Sequence, residues 1–187
     1  MGDPISPGMT ITTLAWMENE WMQQIHPHDK RYFRGARYMD DVLLIYADSP
    51  NWDARKFCDD FAQSTCYHPP LNLVDGQENT FLETRFQIEG DTIHHWLKND
   101  NETHTKVWRY QHFKSHGPYL QKRALLTTCL KKVHKMASSS QLLVSSGLAK
   151  VREFLKLEYP VYVVKAACGY MAASTGERAW LDVRDQI

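Results

Sequence analysis

Residues 37–46 read Arg-Tyr-Met-Asp-Asp-Val-Leu-Leu-Ile-Tyr, and this stretch decides how the rest of the chain is interpreted. Two short β-prone runs, 36–39 and 42–46, flank the acidic pair and predict a β-hairpin with Asp40 and Asp41 at its tip. Residues 42–45 are all aliphatic, which favours a central strand covered on both faces.

Adjacent carboxylates at a hairpin tip repel each other unless a cation lies beside them. Oxygen ligands on a rigid turn suit Mg²⁺ or Mn²⁺, which would remove that repulsion. Successive side chains of a strand point to opposite faces, so we expect one of Asp40 and Asp41 to be the direct ligand. An isolated Asp-Asp pair is common and is more often structural than metal-binding, so the interpretation depends on the residues around it.

The composition is that of an ordinary globular protein, with 43% hydrophobic and 24% charged residues among 187. No apolar run approaches the ~20 residues of a membrane span, so we expect no membrane partner. The four cysteines have no metal-binding spacing and predict reduced thiols in an intracellular, reducing compartment; they are Cys58, Cys66, Cys129 and Cys168.

Charge is unevenly distributed along the chain. Residues 1–105 carry a net charge of −9, and residues 106–165 carry +10. This asymmetry suggests a polyanion held by one part and presented to the other, although mutual attraction of the two halves explains it equally well. Trp108, Tyr110 and Phe113 alternate with basic residues, as in a nucleic-acid groove or in a loop held by its own aromatic side chains.

Hydrophobic periodicity predicts an α+β fold. We expect an α+β unit over 1–105 and a basic helical unit over 106–187. The first unit is predicted to contain one helix at 9–25 and a second that starts at 48–51 and ends at about 65. Besides the hairpin, it is predicted to contain strands at 71–74, 81–88 and 92–98. The second is predicted to contain helices at 120–136, 142–157 and 161–173.

Two motifs of the chain resemble those of reverse transcriptases in their residues, their order and roughly their spacing. Gly2-Asp3-Pro4-Ile5-Ser6-Pro7 before a helix resembles motif B, and Tyr38-Met39-Asp40-Asp41 resembles motif C. Residues 78–83 resemble the primer grip of Penelope-like and related retroelement enzymes, and residues 114–123 and 159–170 resemble their thumb more loosely. The resemblance implies an incomplete polymerase palm, in which helices pack on antiparallel strands, followed by a helical thumb-like bundle.

The same resemblance implies roles for individual residues. Asp40 and Asp41 would be catalytic and would hold Mg²⁺ or Mn²⁺ in a two-metal phosphoryl transfer. Contacts with template, nucleotide or primer end would come from Gly2, Pro4, Ser6, Tyr38 and Met39. The backbone of an RNA or RNA/DNA duplex would be held by Lys114, Lys122, Arg123, Lys131, Lys132 and Lys135.

The chain departs from the family in one respect. The family's metal site needs a motif A aspartate on a preceding palm strand, and neither this strand nor the basic fingers precede the hairpin here. We therefore expect RNA-directed DNA synthesis only when a partner chain supplies motif A and fingers. Two interpretations remain beside it: a fragment of a longer polymerase, or a non-catalytic RNA-binding subunit of a large ribonucleoprotein such as a mitochondrial ribosome or telomerase-like particle.

Overall fold

A computed structural model of the protein describes residues 6–39, 41–47, 49–62, 79–98 and 110–187. Helices and antiparallel strands within these ranges confirm the predicted α+β class. The chain divides into two compact units, Met1–Gln77 and Glu78–Ile187, which are described separately. Gly2, Pro4, Asp40 and the predicted strand at 71–74 lie outside the described residues.

The first unit contains a hairpin and two helices. Its elements are α1 (Ser6–Gln24), a 3-10 turn (Asp29–Arg31), β1 (Phe33–Tyr38), β2 (Asp41–Tyr46) and α2 (Ala54–Ala62). Strands β1 and β2 pair antiparallel, from Phe33 opposite Tyr46 to Tyr38 opposite Asp41, which confirms the predicted hairpin. Helix α1 begins three residues before the predicted start at residue 9, and Ser6 lies in its first turn.

The core of this unit is small. Phe61 of α2 is buried, and its ring lies 5.1 Å from that of Trp21 on α1. Val42 and Leu44 pack into the same cluster from one face of β2. The prediction that residues 42–45 are covered on both faces is wrong: all four are half-buried, because the described sheet has two strands and α2 packs on one side.

The second unit begins with a three-stranded antiparallel meander, β3 (Thr80–Phe81), β4 (Thr84–Glu89) and β5 (Thr92–Leu97). The strand predicted over 81–88 is interrupted by a turn, in which Leu82 adopts a left-handed φ of 55°. The predicted turn between the last two strands is present, with Gly90 at φ 57°. Four helices follow: α3 (Tyr119–Met136), α4 (Ser140–Lys156), α5 (Val161–Thr175) and α6 (Ala179–Asp185).

The meander belongs to the helical unit. Two hydrogen bonds of 2.9 Å join His95 to Ser138. The Ser138 N–H donates to the His95 carbonyl, and the His95 N–H donates to the Ser138 side-chain Oγ. Leu97 is buried in the core that the helices build. The division therefore falls at residue 77 rather than at the predicted residue 105, since packing across the sequence outweighs the change in composition.

Helices α3 to α6 enclose the main hydrophobic core. Fully buried side chains come from each helix; they include Leu126, Val133, Phe154, Val164 and Trp180. Gly147 of α4 permits close approach of α6, because a Cβ there would lie 3.1 Å from Val183 and 3.2 Å from Trp180. The described helices include none with the length and apolar character needed to cross a membrane.

Candidate nucleic-acid interface

The hairpin tip is a two-residue turn. Tyr38 pairs with Asp41, so Met39 and Asp40 connect the strands, and Met39 has a left-handed φ of 53°. A left-handed residue at this position is common in the tight turns that join paired strands. Tyr38, Met39 and Asp41 are exposed, so the tip presents a phenol ring, a thioether and a carboxylate to solvent.

The tip is fastened to helix α1. The Arg37 guanidinium donates to the Met39 carbonyl at 3.0 Å and forms a close ion pair with Glu18 of α1. The Arg37 side chain is only 11% exposed, which reduces screening of this pair by water. The turn backbone therefore has a fixed position relative to α1.

The described part of the tip does not form a complete metal site. Asp41 contributes one carboxylate, whereas Asp40 lies outside the described residues. Nowhere in the described ranges do three or more His, Cys, Asp or Glu side chains come together as metal ligands. Mg²⁺ needs several oxygen ligands from carboxylates, water or phosphate, so binding of this ion would require groups beyond Asp41.

Lys122 is not available to a phosphate, which corrects its predicted role. Its side chain is buried at 5% exposure, and its ammonium donates to the carbonyls of Phe113 at 2.6 Å and Ser115 at 2.5 Å. The ammonium also lies 5.6 Å from the centre of the Phe113 ring. Lys122 stands in the first turn of α3 and folds back onto the preceding loop, so it holds that loop in place.

Two other predicted phosphate ligands are paired with carboxylates. Lys132 forms an ion pair with Glu83, and Lys114 forms one with Glu158. The hydrogen bond from Lys114 holds the pKa of the Glu158 carboxyl below its usual value. All four side chains are exposed, and exposed pairs contribute little stability. A phosphate can therefore compete for these lysines, at the cost of separating each from its carboxylate.

Arg123 and Lys131 lie together on a groove between α3 and α5. The groove has a volume of about 480 Å³, and its lining includes Leu120, Thr127, Val163 and Tyr170. The Lys131 ammonium lies 5.8 Å from the centre of the Tyr170 ring. Helices α3 and α5 contain no Asp or Glu. Lys135, the sixth predicted ligand, is exposed one helical turn after Lys131.

Two of the aromatic residues between 106 and 114 anchor their loop. The Tyr110 ring stacks on Phe154 with centres 5.1 Å apart, and the Phe113 ring lies 5.1 Å from Tyr159. Of the two alternatives that the sequence left open, these contacts favour the loop held by its aromatic side chains. Trp108 lies outside the described residues.

The sequence did not indicate that Lys150 and Glu153 form a buried polar cluster. Lys150 and Glu153 of α4 are both below 10% exposed at 6% and 8%, and Lys150 Nζ lies 2.7 Å from Glu153 Oε2. Lys150 also donates to the Tyr110 hydroxyl at 3.4 Å. The spacing of three residues on one helix was the available signal, but the same spacing is common on solvated helix faces. The cluster joins α4 to the loop before α3.

The buried cysteines of the second unit, Cys129 and Cys168, are unsuited to nucleophilic chemistry. Burial raises the pKa of the Cys129 thiol, although a hydrogen bond with Tyr110 acts in the opposite direction. Burial raises the pKa of Cys168 to about 11. Because the thiolate is the reactive form, both side chains are inert thiols at neutral pH.

We expect Lys122→Met to lower the free energy of unfolding by about 2–3 kcal/mol, because two partly buried carbonyls lose a charged donor. Nucleic-acid affinity should stay unchanged once the variant is folded. Urea denaturation followed by circular dichroism gives the stability, and Lys135→Met is the exposed control, expected within about 0.5 kcal/mol of the parent. A Lys122→Met variant that is fully stable yet binds nucleic acid weakly would contradict the assigned role.

Comparisons of the chain with protein-family models, with curated proteins and with solved structures found no match. The described residues define an α+β protein with an exposed acidic hairpin tip in one unit and a basic, aromatic groove in the other. Both features are suited to contact with a polyanion or with the ions that accompany one.

Proposed function

We propose that this chain is the palm and thumb part of a reverse-transcriptase-like polymerase. It binds RNA or an RNA/DNA duplex and takes part in RNA-directed DNA synthesis only when a partner chain supplies motif A and the fingers. The observation that carries the proposal is the β1–β2 hairpin: its register places Asp41 opposite Tyr38 at an exposed two-residue turn. Tyr38, Met39 and Asp41 are exposed there and are therefore accessible to a ligand.

The contacts that hold the hairpin tip in place favour a functional role of the tip over a purely structural one. Arg37 fixes the carbonyl of Met39 and is itself fixed by Glu18. A binding group held by packed neighbours does not have to be ordered again when ligand binds. In the proposed function, Asp40 and Asp41 hold Mg²⁺ or Mn²⁺ together with an aspartate of the partner. Tyr38 and Met39 of this chain lie against the primer end.

Helix α1 has an exposed apolar face that supports the need for a partner. Met9 and Trp16, which share one side of the helix because they are seven residues apart, are exposed at 65% and 61%. Large apolar side chains grouped on a surface mark interaction sites, because leaving them in water is unfavourable. In the proposed assembly, the segment that completes the palm covers this face.

A second candidate function is supported by the α3/α5 groove. A chain that binds RNA through Arg123, Lys131 and Tyr170 has no need of the acidic hairpin. Such a chain would be a non-catalytic subunit of a large ribonucleoprotein. The two candidates differ in whether the hairpin tip touches nucleic acid.

Photo-cross-linking from the hairpin tip tests the proposal. A photoreactive amino acid at Met39 should cross-link to the 3′-terminal nucleotides of the primer in a labelled RNA/DNA primer–template. The same group at Ile88, which is 55% exposed on β4, is the matched control and should give no such product. In parallel, we expect no primer extension by this chain alone with Mg²⁺ or Mn²⁺.

The outcomes separate the candidates. Cross-links confined to the primer end support the polymerase proposal. Nucleic-acid binding with no cross-link from position 39 overturns it in favour of the non-catalytic subunit. Primer extension by this chain alone, abolished in Asp40→Ala, would overturn the requirement for a partner.

A further inference from the structure

The groove between α3 and α5 combines cations with exposed aromatic rings. The Arg123 guanidinium lies 5.8 Å from the centre of the Tyr119 ring, and the Lys131 ammonium lies at the same distance from Tyr170. Tyr170 is 51% exposed and Leu120 is 73% exposed. The groove therefore offers positive charge and an uncovered apolar surface side by side.

The two helices that form the groove run in the same direction. The Phe113 ring lies 6.1 Å from Tyr119, the first residue of α3, and 5.1 Å from Tyr159, which precedes α5 by two residues. Both helices thus begin at one end of the groove. Their N-caps are Pro118 and Pro160, which make no side-chain capping hydrogen bonds. The positive ends of two helix dipoles add to the charge of Arg123 there.

The composition of the groove walls excludes a cationic occupant. The charged side chains in its lining are Arg123 and Lys131, and neither helix contains a carboxylate. Lys131 follows Arg123 by eight residues, a rise of ~12 Å along α3. Stacked nucleotides in one strand rise by ~3.4 Å each, so about three of them span the two cations.

We infer that the α3/α5 groove binds a single-stranded segment of RNA or DNA, with a base on Tyr170 and phosphates on Arg123 and Lys131. This inference rests on the proposed nucleic-acid binding and specifies that the nucleic acid bound at this site is single-stranded. Sequence-tolerant binding of single strands combines a cationic groove with aromatic rings on which bases stack. A duplex keeps its bases inside and presents phosphates, so it would leave the exposed face of Tyr170 without a partner.

The test compares single-stranded and duplex ligands on the full chain. Fluorescence anisotropy measures the Kd of a labelled single-stranded RNA of about twelve nucleotides and of the same sequence in a duplex, and only single-strand binding should depend on the groove. Tyr170→Leu should weaken single-strand binding by about tenfold, because stacking on one aromatic ring is worth ~1–3 kcal/mol. Tyr162→Leu is the matched control, since Tyr162 is 69% exposed on α5 outside the groove lining, and it should bind like the parent.

Salt dependence gives a second readout. Arg123→Gln combined with Lys131→Gln should reduce the slope of log K against log salt for the single strand by about 1.4, because each phosphate contact contributes ~0.7. Arg152→Gln, an exposed cation on α4 outside the groove, is the control and should leave that slope unchanged.

Each outcome decides the inference. A Tyr170→Leu variant that binds the single strand as well as the parent, or that loses duplex affinity as much as single-strand affinity, overturns it. Capture of an acidic amphipathic peptide in place of the oligonucleotide, lost in the Arg123→Gln and Lys131→Gln variant, overturns it in favour of a protein ligand. If position 39 still cross-links to a primer end, the proposed function survives that failure. If the chain binds no nucleic acid in either assay, both fail.

Discussion

Lys150→Met is expected to lower the free energy of unfolding of the unit Glu78–Ile187 by about 3–5 kcal/mol. Lys150 and Glu153 are almost fully excluded from water, and their side chains meet at 2.7 Å. Removing the ammonium takes from the buried Glu153 carboxylate a charge that compensates its desolvation. The contact of Lys150 with the Tyr110 hydroxyl and ring is lost at the same time.

Urea denaturation followed by circular dichroism measures this loss, and two variants make the result specific. Lys156→Met replaces an exposed lysine of the same helix and should change stability by less than about 0.5 kcal/mol. Lys150→Met combined with Glu153→Leu should recover most of the loss, because an apolar pair can replace a buried ion pair. A single variant as stable as the parent would mean that the pair is not buried in solution.

Trp180→Ala should lower the free energy of unfolding of the same unit by about 3–5 kcal/mol, the usual cost of truncating a buried aromatic residue. Trp180 is the largest fully buried side chain of the described residues, and it fills the space that Gly147 leaves between α4 and α6. Loss of the indole leaves a cavity that these helices cannot close without moving. Helix α6 should then exchange its amide hydrogens much faster than α3.

Trp180→Phe is the informative companion variant. The indole N–H is buried and finds no hydrogen-bond partner among the described residues. Replacing it with a phenyl ring removes this unfavourable group while keeping most of the volume, so the loss should be well below that of alanine. If Trp180→Phe lowered the free energy of unfolding as much as Trp180→Ala, the indole N–H would have a hydrogen-bond partner in solution. Trp16→Ala, at a tryptophan 61% exposed on α1, should be nearly neutral.

The sequence predicted the elements whose signals are local. The hairpin follows from two β-prone runs around the turn, and α3, α4 and α5 follow from their helical periodicity and from the prolines before α3 and α5. Helix α6 was missed because its seven residues are too few to show a helical period. Its stability depends on Trp180 and Val183, which pack against Gly147 from a distant part of the chain.

The candidate site could be predicted only in part. The exposed basic positions Arg123 and Lys131 follow from their place on a helix, but Tyr170 joins them because α5 packs beside α3. Lys122, one residue before Arg123, has the same charge and points into the fold, since the loop carbonyls of Phe113 and Ser115 capture its ammonium. Sequence gives the charge of a side chain but not the atoms that surround it.

The sequence by itself determined the α+β class, the hairpin with its acidic tip and the three long helices of the second unit, because each depends on residues that are neighbours along the chain. Tertiary structure alone decided the division at residue 77, the burial of Lys122 and of the Lys150–Glu153 pair, and the groove shared by α3 and α5. These depend on contacts between segments far apart in sequence. Such contacts are set by how whole surfaces fit together when apolar side chains leave water.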